Sequence, residues 1–250
     1  MMKSTFEEPK VVSQEEWIEA RKALLKKEKE LTRQRDALAE ERLRLPWVKI
    51  ERKYVFDSTA GKKSLAELFD GKSQLVIYHF MLGPDWEQGC PGCSLMADHL
   101  DGLGIHLAQR DVKLMMVSRA PLVQIETFKK RMGWDFPWVS SNGSDFNFDF
   151  GVSFTKEQMA KDKIYNYGSI PFTSEEAPGM SAFYKDPMGL VFHTYSTYGR
   201  GLEDFMGIYP LLDRVPKGRD EARLTRPMEW LRHHDRYPES NIVGVKSARM

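Results

Sequence analysis

Apolar residues recur along the chain with two different periodicities, and the change from one to the other comes near residue 46. Between residues 13 and 43 an apolar residue returns every seven positions, and neither Gly nor Pro interrupts the run. Ser13 followed three residues later by Glu16 matches the capping box that opens an α-helix. The pattern therefore predicts one long helix over residues 13–43, ended by Pro46.

The apolar stripe of this predicted helix is narrow. Its members are Trp17, Leu24, Leu31, Leu38 and Leu45. The companion heptad positions hold Lys27, Gln34 and Glu41, so only half of a coiled-coil seam is present. Two interpretations stay open: the helix lies along its own domain, or it is an arm through which the chain forms a homodimer.

From Trp47 onward, short apolar strands alternate with amphipathic helices. Strands are predicted at 53–56, 74–80, 112–118, 136–140, 181–185 and 190–195, and helices at 64–69, 94–100, 121–132 and 201–212. This alternation predicts an α/β fold: a central mixed sheet, flanked by helices, with parallel strands and an antiparallel hairpin. We expect three parts: a charged helical extension over 1–46, the α/β domain over 47–215 and a charged tail over 216–250.

Composition narrows the functional classes. The chain has 250 residues and a net charge of +1, so it offers no global attraction for nucleic acid or an anionic membrane. It contains no run near the ~20 apolar residues of a membrane span, no signal peptide and no phosphate-binding loop. We therefore expect a cytoplasmic protein with no cofactor, no bound metal, no nucleic-acid partner and no membrane partner.

Both cysteines of the chain lie two residues apart, in Cys90-Pro91-Gly92-Cys93. The buried strand 74–80 precedes them and a helix follows, which is the setting of a redox-active Cys-x-x-Cys site. The amides and partial positive charge of a helix N-terminus stabilise a thiolate and lower the thiol pKa from ~8.5 into the range ~3.5–7.5. Cys90 is the predicted nucleophile, and the more buried Cys93 is the predicted resolving thiol.

Three other interpretations of the pair compete with redox chemistry. A structural zinc site needs about four ligands, and the only residues that could complete one here are histidines far from the two cysteines in sequence. A structural disulfide suits secreted chains better than this one. Two inert core thiols are the third possibility, although Pro91-Gly92 between the cysteines is typical of a turn into a helix.

Four stretches carry a resemblance to a known superfamily: Phe80–Trp86, Val117–Pro121, Phe136–Ser140 and Phe183–Gly189. On these, the core resembles the thioredoxin-like superfamily, its peroxiredoxin branch more than thioredoxin itself. Residues 46–220 are similar to a bacterial thioredoxin-like family classed as a domain of unknown function. The resemblance implies a thioredoxin-like fold with its site at the cysteine pair, and it implies no established reaction.

The chain also departs from both relatives. In peroxiredoxins a Pro precedes a Thr or Ser by three residues and the Cys by six; here Glu87 stands three residues after Pro84, in place of that hydroxyl residue. Thioredoxins place a cis-proline before the hairpin, and the corresponding position here is Gly179, with Pro178 one residue early. Neither standard activity transfers directly.

Two further residues are candidates for the site. Arg119 follows a buried strand, so it is expected at the same sheet edge as Cys90, where it would stabilise the thiolate or an anionic substrate. Its alternative is a helix-entry arginine in a surface ion pair. Trp86 is either a lid over the thiol or a loop anchor.

The sequence supports two hypotheses of function. The first is a thiol-disulfide oxidoreductase or thiol peroxidase, with a disulfide or peroxide as substrate and an external dithiol as reductant. Its predicted catalytic residues are Cys90, Cys93, Arg119 and Trp86. The second is a non-catalytic thioredoxin-fold module that uses its long N-terminal helix for assembly and leaves the cysteines idle or sensory.

Overall fold

A computed structural model describes residues 9–161 and 163–238. The remainder of the predicted extension (1–8) and of the predicted tail (239–250) lies outside the described residues. The α-helices are α1 Gln14–Leu43, α2 Pro91–Leu100, α3 Gly104–Ala108, α4 Leu122–Met132, α5 Phe146–Asp149, α6 Lys156–Met159 and α7 Ile208–Leu212. The strands are β1 Val48–Lys49, β2 Val55–Ser58, β3 Gly61–Ser64, β4 Gln74–His79, β5 Val112–Ser118, β6 Trp138–Ser140, β7 Gly179–Lys185 and β8 Val191–Tyr198. Three 3₁₀ helices span Leu65–Phe69, Gly199–Phe205 and His234–Arg236.

All eight strands form one mixed sheet in the order β1-β8-β7-β4-β5-β6-β2-β3. Strands β4, β5 and β6 are parallel, whereas β7 and β8 form an antiparallel hairpin on the other side of β4. Ile77 in the central strand β4 lies between Met115 and Ser181 of its neighbours. This is the thioredoxin-like fold with a central mixed sheet and a long N-terminal helix that the sequence predicts.

The central strands are covered on both faces, as parallel strands require. Alternate residues of β4 point to opposite sides, so Tyr78 belongs to one apolar cluster and Ile77 to the other. The Tyr78 face is covered by α2 and α4, which contribute Met96 and Phe128. The cysteine pair belongs to this first face.

Segment 145–150 has a phenylalanine at every second position, a spacing typical of a strand with one buried face, yet it forms no strand. It forms the short helix α5, in which Phe146 and Phe150 are buried together while Phe148 is only half-buried. One helical turn brings residues four apart to the same side, so burying the outer two phenylalanines needs no strand. Likewise, the single helix predicted at 201–212 is divided into a 3₁₀ helix and α7 around Met206-Gly207.

Helix α1 is confirmed with its predicted cap: the Glu16 amide donates to Ser13 Oγ, and Glu16 in turn accepts from the Ser13 amide. None of the residues of α1 is buried, so the interpretation in which it lies along its own domain is wrong. Its tie to the domain is near its end, where Arg42 lies over the Tyr195 ring. Among the described residues, no helix is both long enough and apolar enough to span a bilayer.

The aromatic cluster of the second face generates a stability prediction. Phe146 is fully buried, with its ring centroid 4.9 Å from that of Phe56 and 4.7 Å from that of Phe150. Phe146→Ala leaves a cavity there, so we expect a loss of about 3–5 kcal/mol in the free energy of unfolding, measured by urea titration. Val123→Ala on the exposed face of α4 serves as control and should stay within about 0.5 kcal/mol of wild type.

Candidate active site at the Cys90–Cys93 pair

Cys90 is the residue at which loop changes into helix. It is the N-cap of α2 with extended backbone angles, and Pro91 occupies the first helical position, where a missing N–H costs nothing. The Cys90 amide donates to the Met81 carbonyl at 3.1 Å, and its own carbonyl accepts from the Ser94 amide at 2.9 Å. Its backbone is thus fixed at both ends, and its sulfur lies at a helix N-terminus.

The two thiols have opposite electrostatic environments. The nearby side chain of Cys93, the amides of Gly92 and Cys93 and the charge of Arg226 together lower the pKa of Cys90 to about 6 in spite of its desolvation. Burial raises the pKa of Cys93 well above its usual value, an effect that its contact with Cys90 reinforces. At neutral pH the pair therefore holds a partly exposed thiolate beside a buried thiol.

The buried member of the pair is held in place from the strand side. The Met81 amide donates to Cys93 Sγ at 3.4 Å, and Tyr78 of β4 lies in the same apolar cluster and opposes the rise in the pKa of Cys93. Tyr78 was not singled out from the sequence, although it shares its sheet face with Phe80 by simple alternation. The structure thus places two sulfurs at one helix start, the first partly exposed and the second buried.

A cavity of about 500 Å³ opens beside the two sulfurs. Its walls are mainly aromatic and aliphatic, and they include Tyr78, Cys90, Cys93, Tyr165, Phe172, Leu202, Met206, Tyr209, Pro227 and Met228. This is the size range of cavities that hold small organic ligands. Hydrogen peroxide alone would leave most of it unfilled.

The charged groups at the rim of this cavity are paired with one another. Arg219 donates to Asp213 at 2.7 Å and to Glu203 at 3.1 Å, and its guanidinium lies over the Tyr209 ring at 4.3 Å. Glu221 accepts from Trp230 Nε1 at 2.7 Å. Arg219 is thus already paired, and Glu221 keeps its negative charge beside a neutral indole, so these rim groups disfavour an anionic ligand.

One wall of the cavity comes from the charged tail, which docks against the loop before Cys90. His233 Nδ1 lies 3.1 Å from an Arg131 nitrogen that can only donate, so His233 Nε2 carries the proton and donates to the Gly89 carbonyl at 2.8 Å. Arg131 also pairs with Asp235 at 2.8 Å. In the sequence, only Trp230 and Tyr237 indicate that the tail packs on the domain.

Within the tail, Met228 lies directly at the helix start. Its left-handed backbone (φ 67°) turns the methyl group toward Gly92, where a Cβ would lie 3.2 Å from it. Gly92 thus leaves room for the tail above the Cys90 sulfur. The access route to Cys90 is shaped by a segment outside the core of the fold.

Arg119 lies away from the cavity lining. Its guanidinium pairs with the buried carboxylate of Glu176 at 2.7 Å and rests 4.4 Å from the Phe148 ring centroid. Burial raises the pKa of Glu176 to about 7, against the opposing effects of Ser153 and Arg119. The structure does not bring Arg119 to the Cys90 sulfur, and its predicted catalytic role stays a prediction.

Trp86 is also absent from the cavity lining and packs against the apolar cluster of the first sheet face. A Cβ on Gly83 would lie 2.9 Å from Trp86 Nε1 and 3.4 Å from Glu176 Cγ, so the loop passes tightly between these two side chains. This position is that of a loop anchor, the second of the two interpretations for Trp86. Its predicted part in catalysis is untested.

The buried His79 lies inside the sheet with Nε2 2.9 Å from Ser181 Oγ. Burial lowers its pKa to about 3, so it stays neutral. Gly179 lies opposite it in β7, where a Cβ would approach the Tyr198 ring to 2.9 Å, and no peptide bond among the described residues is cis. The described residues also contain no cluster of three potential metal ligands.

The thiol asymmetry predicts the pH dependence of alkylation. The iodoacetamide reaction rate of Cys90, measured by mass spectrometry, should rise with pH through about 6 and then level off, because only the thiolate reacts. Cys93→Ala removes the thiol donor and should move the midpoint to higher pH, whereas Cys93→Ser keeps an O–H donor and should move it less. A wild-type midpoint near the ordinary ~8.5 would contradict this account.

The same shift has a consequence for stability. Because the folded pKa of Cys90 lies below its unfolded value, ionisation of Cys90 stabilises the fold fully above the unfolded pKa of ~8.5. This contribution is lost as the pH falls through about 6. Cys90→Ser should therefore flatten the pH dependence of the free energy of unfolding between pH 6 and pH 8.5; an unchanged slope would contradict the assignment.

Comparison with known proteins places the chain in a family. No curated protein matches it in sequence. Solved structures similar to it include a cysteine-to-serine mutant of PrxQ from Xylella fastidiosa (17% identity, 63% of this chain and 88% of that one, TM-score 0.41). Peroxidoxin BcpB from Mycobacterium tuberculosis is another (14% identity, 65% and 94%, TM-score 0.44). A family model described as "Bacterial protein of unknown function (DUF899)" matches residues 6–237, and the chain belongs to that family.

Proposed function

We propose that this protein is a thiol peroxidase that reduces uncharged organic hydroperoxides, with Cys90 as the peroxidatic and Cys93 as the resolving cysteine. The observation that carries the proposal is the opposite shift of the two thiol pKa values at the start of α2. A reactive thiolate beside a protonated thiol supplies both the nucleophile and the partner that closes the catalytic disulfide.

The chemistry proceeds in three balanced steps. The Cys90 thiolate attacks one peroxide oxygen of ROOH; the O–O bond breaks, Cys90 becomes a sulfenic acid, and the RO⁻ leaving group takes a proton to become ROH. The Cys93 thiol then attacks the Cys90 sulfur, forming the disulfide and releasing water. Finally an external dithiol reduces the disulfide by exchange and is itself oxidised.

The helix start supports each of these steps. The amides of Gly92 and Cys93 that stabilise the thiolate also stabilise the charge that returns to the Cys90 sulfur when it leaves the mixed disulfide with the donor. Cys93 lies in the first turn of the helix that Cys90 caps, which keeps it within reach of the sulfenic acid. Burial keeps Cys93 protonated, so it does not compete with Cys90 for the peroxide.

The cavity supports an organic peroxide as substrate. An apolar group R fits against walls such as Phe172 and Met228 while the peroxide group reaches Cys90. The paired rim charges of Arg219 and Glu203 offer no free partner for a carboxylate. The tail covers the helix start on this side, which leaves room for a small molecule rather than for a folded protein surface.

Arg119 and Trp86 fit this proposal as positioning residues. The Arg119–Glu176 pair and Trp86 enclose Gly83, and the same loop supplies the Met81 carbonyl and amide that hold Cys90 and Cys93. In this proposal Arg119 and Trp86 hold the loop at Gly83 and do not contact the substrate. Their loss would move both sulfurs through the backbone.

Turnover is the direct test of the proposal. With dithiothreitol as donor, the wild-type protein should consume cumene hydroperoxide catalytically, and Cys90→Ser should lose all turnover. Cys93→Ser should stop after one oxidation and accumulate a sulfenic acid that dimedone labels at Cys90. If wild type shows no turnover and forms no reversible Cys90–Cys93 disulfide with peroxide, the proposal fails and the pair is idle.

A matched pair of methionine variants tests the role of the cavity. Met228 lines the cavity, whereas Met188 is 80% exposed at the β7–β8 turn. We expect Met228→Gln to raise the KM for cumene hydroperoxide several-fold and to leave that for hydrogen peroxide unchanged, because a polar amide disfavours the apolar group. Met188→Gln should change neither. Equal effects of Met228→Gln on both peroxides would place the organic group elsewhere.

A further inference from the structure

Helix α1 exposes an apolar stripe that its own domain leaves uncovered. Four of its residues, one per heptad, are about half exposed: Trp17 53%, Leu24 52%, Leu31 49% and Leu38 45%. A helix of 30 residues extends about 45 Å, so the stripe runs along nearly its whole length. Helices in proteins gain most of their stability from packing such an apolar face against another surface.

We propose that α1 pairs in parallel with α1 of a second copy of this chain, stripe against stripe. Two rows of side chains border the stripe, at three and at four residues after each stripe position. The first row holds Ala20, Lys27, Gln34 and Glu41, and the second row holds Arg21, Glu28, Arg35 and Arg42. The charges in these rows decide both the partner and the direction of pairing.

In a parallel pair with a two-fold axis along the helices, the first row of one helix faces the second row of the other. Lys27 then lies opposite Glu28 of the second copy, and Glu41 lies opposite Arg42 of the second copy. The two-fold axis repeats both contacts, which gives four attractive pairs. No like charges face each other across the stripe in this arrangement.

An antiparallel pair centred on Leu31 brings each row against itself. Glu28 then faces Arg35, which is attractive, but Arg21 faces Arg42, which is repulsive. Lys27 faces the uncharged Gln34 in this register. The parallel arrangement therefore matches the charges of this helix better, and the match is between α1 and itself, as a two-fold interface requires.

This self-complementarity indicates that the partner covering the stripe is a second copy of α1. A different partner would need its own apolar stripe with a charge pattern complementary to both rows, whereas a second α1 already carries it. The apolar stripe is only one residue wide per heptad, so we expect a concentration-dependent dimer rather than an obligate one. The two α/β domains would lie side by side at the C-terminal ends of the paired helices.

The test is the mass of the full-length protein in solution. Sedimentation equilibrium should show a shift with concentration from 29.0 kDa toward twice that mass. Leu31→Lys places a charge in the stripe and should return the protein to monomer. Leu43→Lys, also on α1 but 84% exposed and off the stripe, should leave the dimer intact. Circular dichroism checks that α1 stays helical in both variants.

A charge exchange tests the direction of pairing. Lys27→Glu alone and Glu28→Lys alone each create like-charge contacts in the parallel dimer and should weaken it. The double variant restores opposite charges there and should recover dimerisation, whereas in an antiparallel dimer it would leave Lys at position 28 against Arg35. A monomer at every concentration, or a dimer that survives Leu31→Lys, overturns the proposal; failure of the double variant to recover overturns the parallel direction. None of these readouts depends on peroxidase activity.

Discussion

The proximity of the Cys93 thiol to the Cys90 sulfur is the interaction on which the site depends. It is the largest influence that keeps the pKa of Cys90 near 6 although most of that sulfur is withdrawn from water. It exists because one helical turn separates two cysteines whose first member is a cap rather than a helical residue. Removing the turn, the cap or the burial of Cys93 would leave two ordinary thiols.

The sheet holds the two cysteines in fixed positions, so that their thiols stay close together. Strand β4 has partners on both sides, and the loop that follows it returns to donate to Cys93 and accept from Cys90 through Met81. The buried Arg119–Glu176 pair holds the far side of that loop. Because withdrawing both charges from water costs free energy, this pair adds little to the stability of the fold. Its effect is to fix one geometry of the loop.

The chain adds two features to the thioredoxin-like core, and they act in different places. The tail closes one side of the site, where Met228 and the His233–Gly89 hydrogen bond shape what reaches the sulfur. The N-terminal helix stands apart, with a surface suited to another copy of itself. In the functions proposed above, chemistry at the cysteine pair and assembly through α1 belong to separate parts of the chain around a common sheet.

The sequence by itself determined the features that short-range physics controls. The capping box and the absence of Gly and Pro specified α1, the apolar runs at 74–80 and 112–118 specified β4 and β5, and Pro91-Gly92 indicated the turn into α2. These patterns were enough to predict the fold class and to find the cysteine pair. Local patterning succeeds here because each element carries its own start, stop and buried face.

Only the tertiary structure decided which distant side chains meet the pair. Arg119 was expected at Cys90 because both follow neighbouring parallel strands, yet the buried carboxylate of Glu176, 57 residues away in the chain, holds its guanidinium. The tail residues Met228 and His233 also lie at the site, although they come after residue 220 in the chain. The pattern of apolar residues in the sequence does not predict these contacts. Long-range packing among charged and irregular segments depends on shape and on the competition between partners, which a linear pattern does not contain.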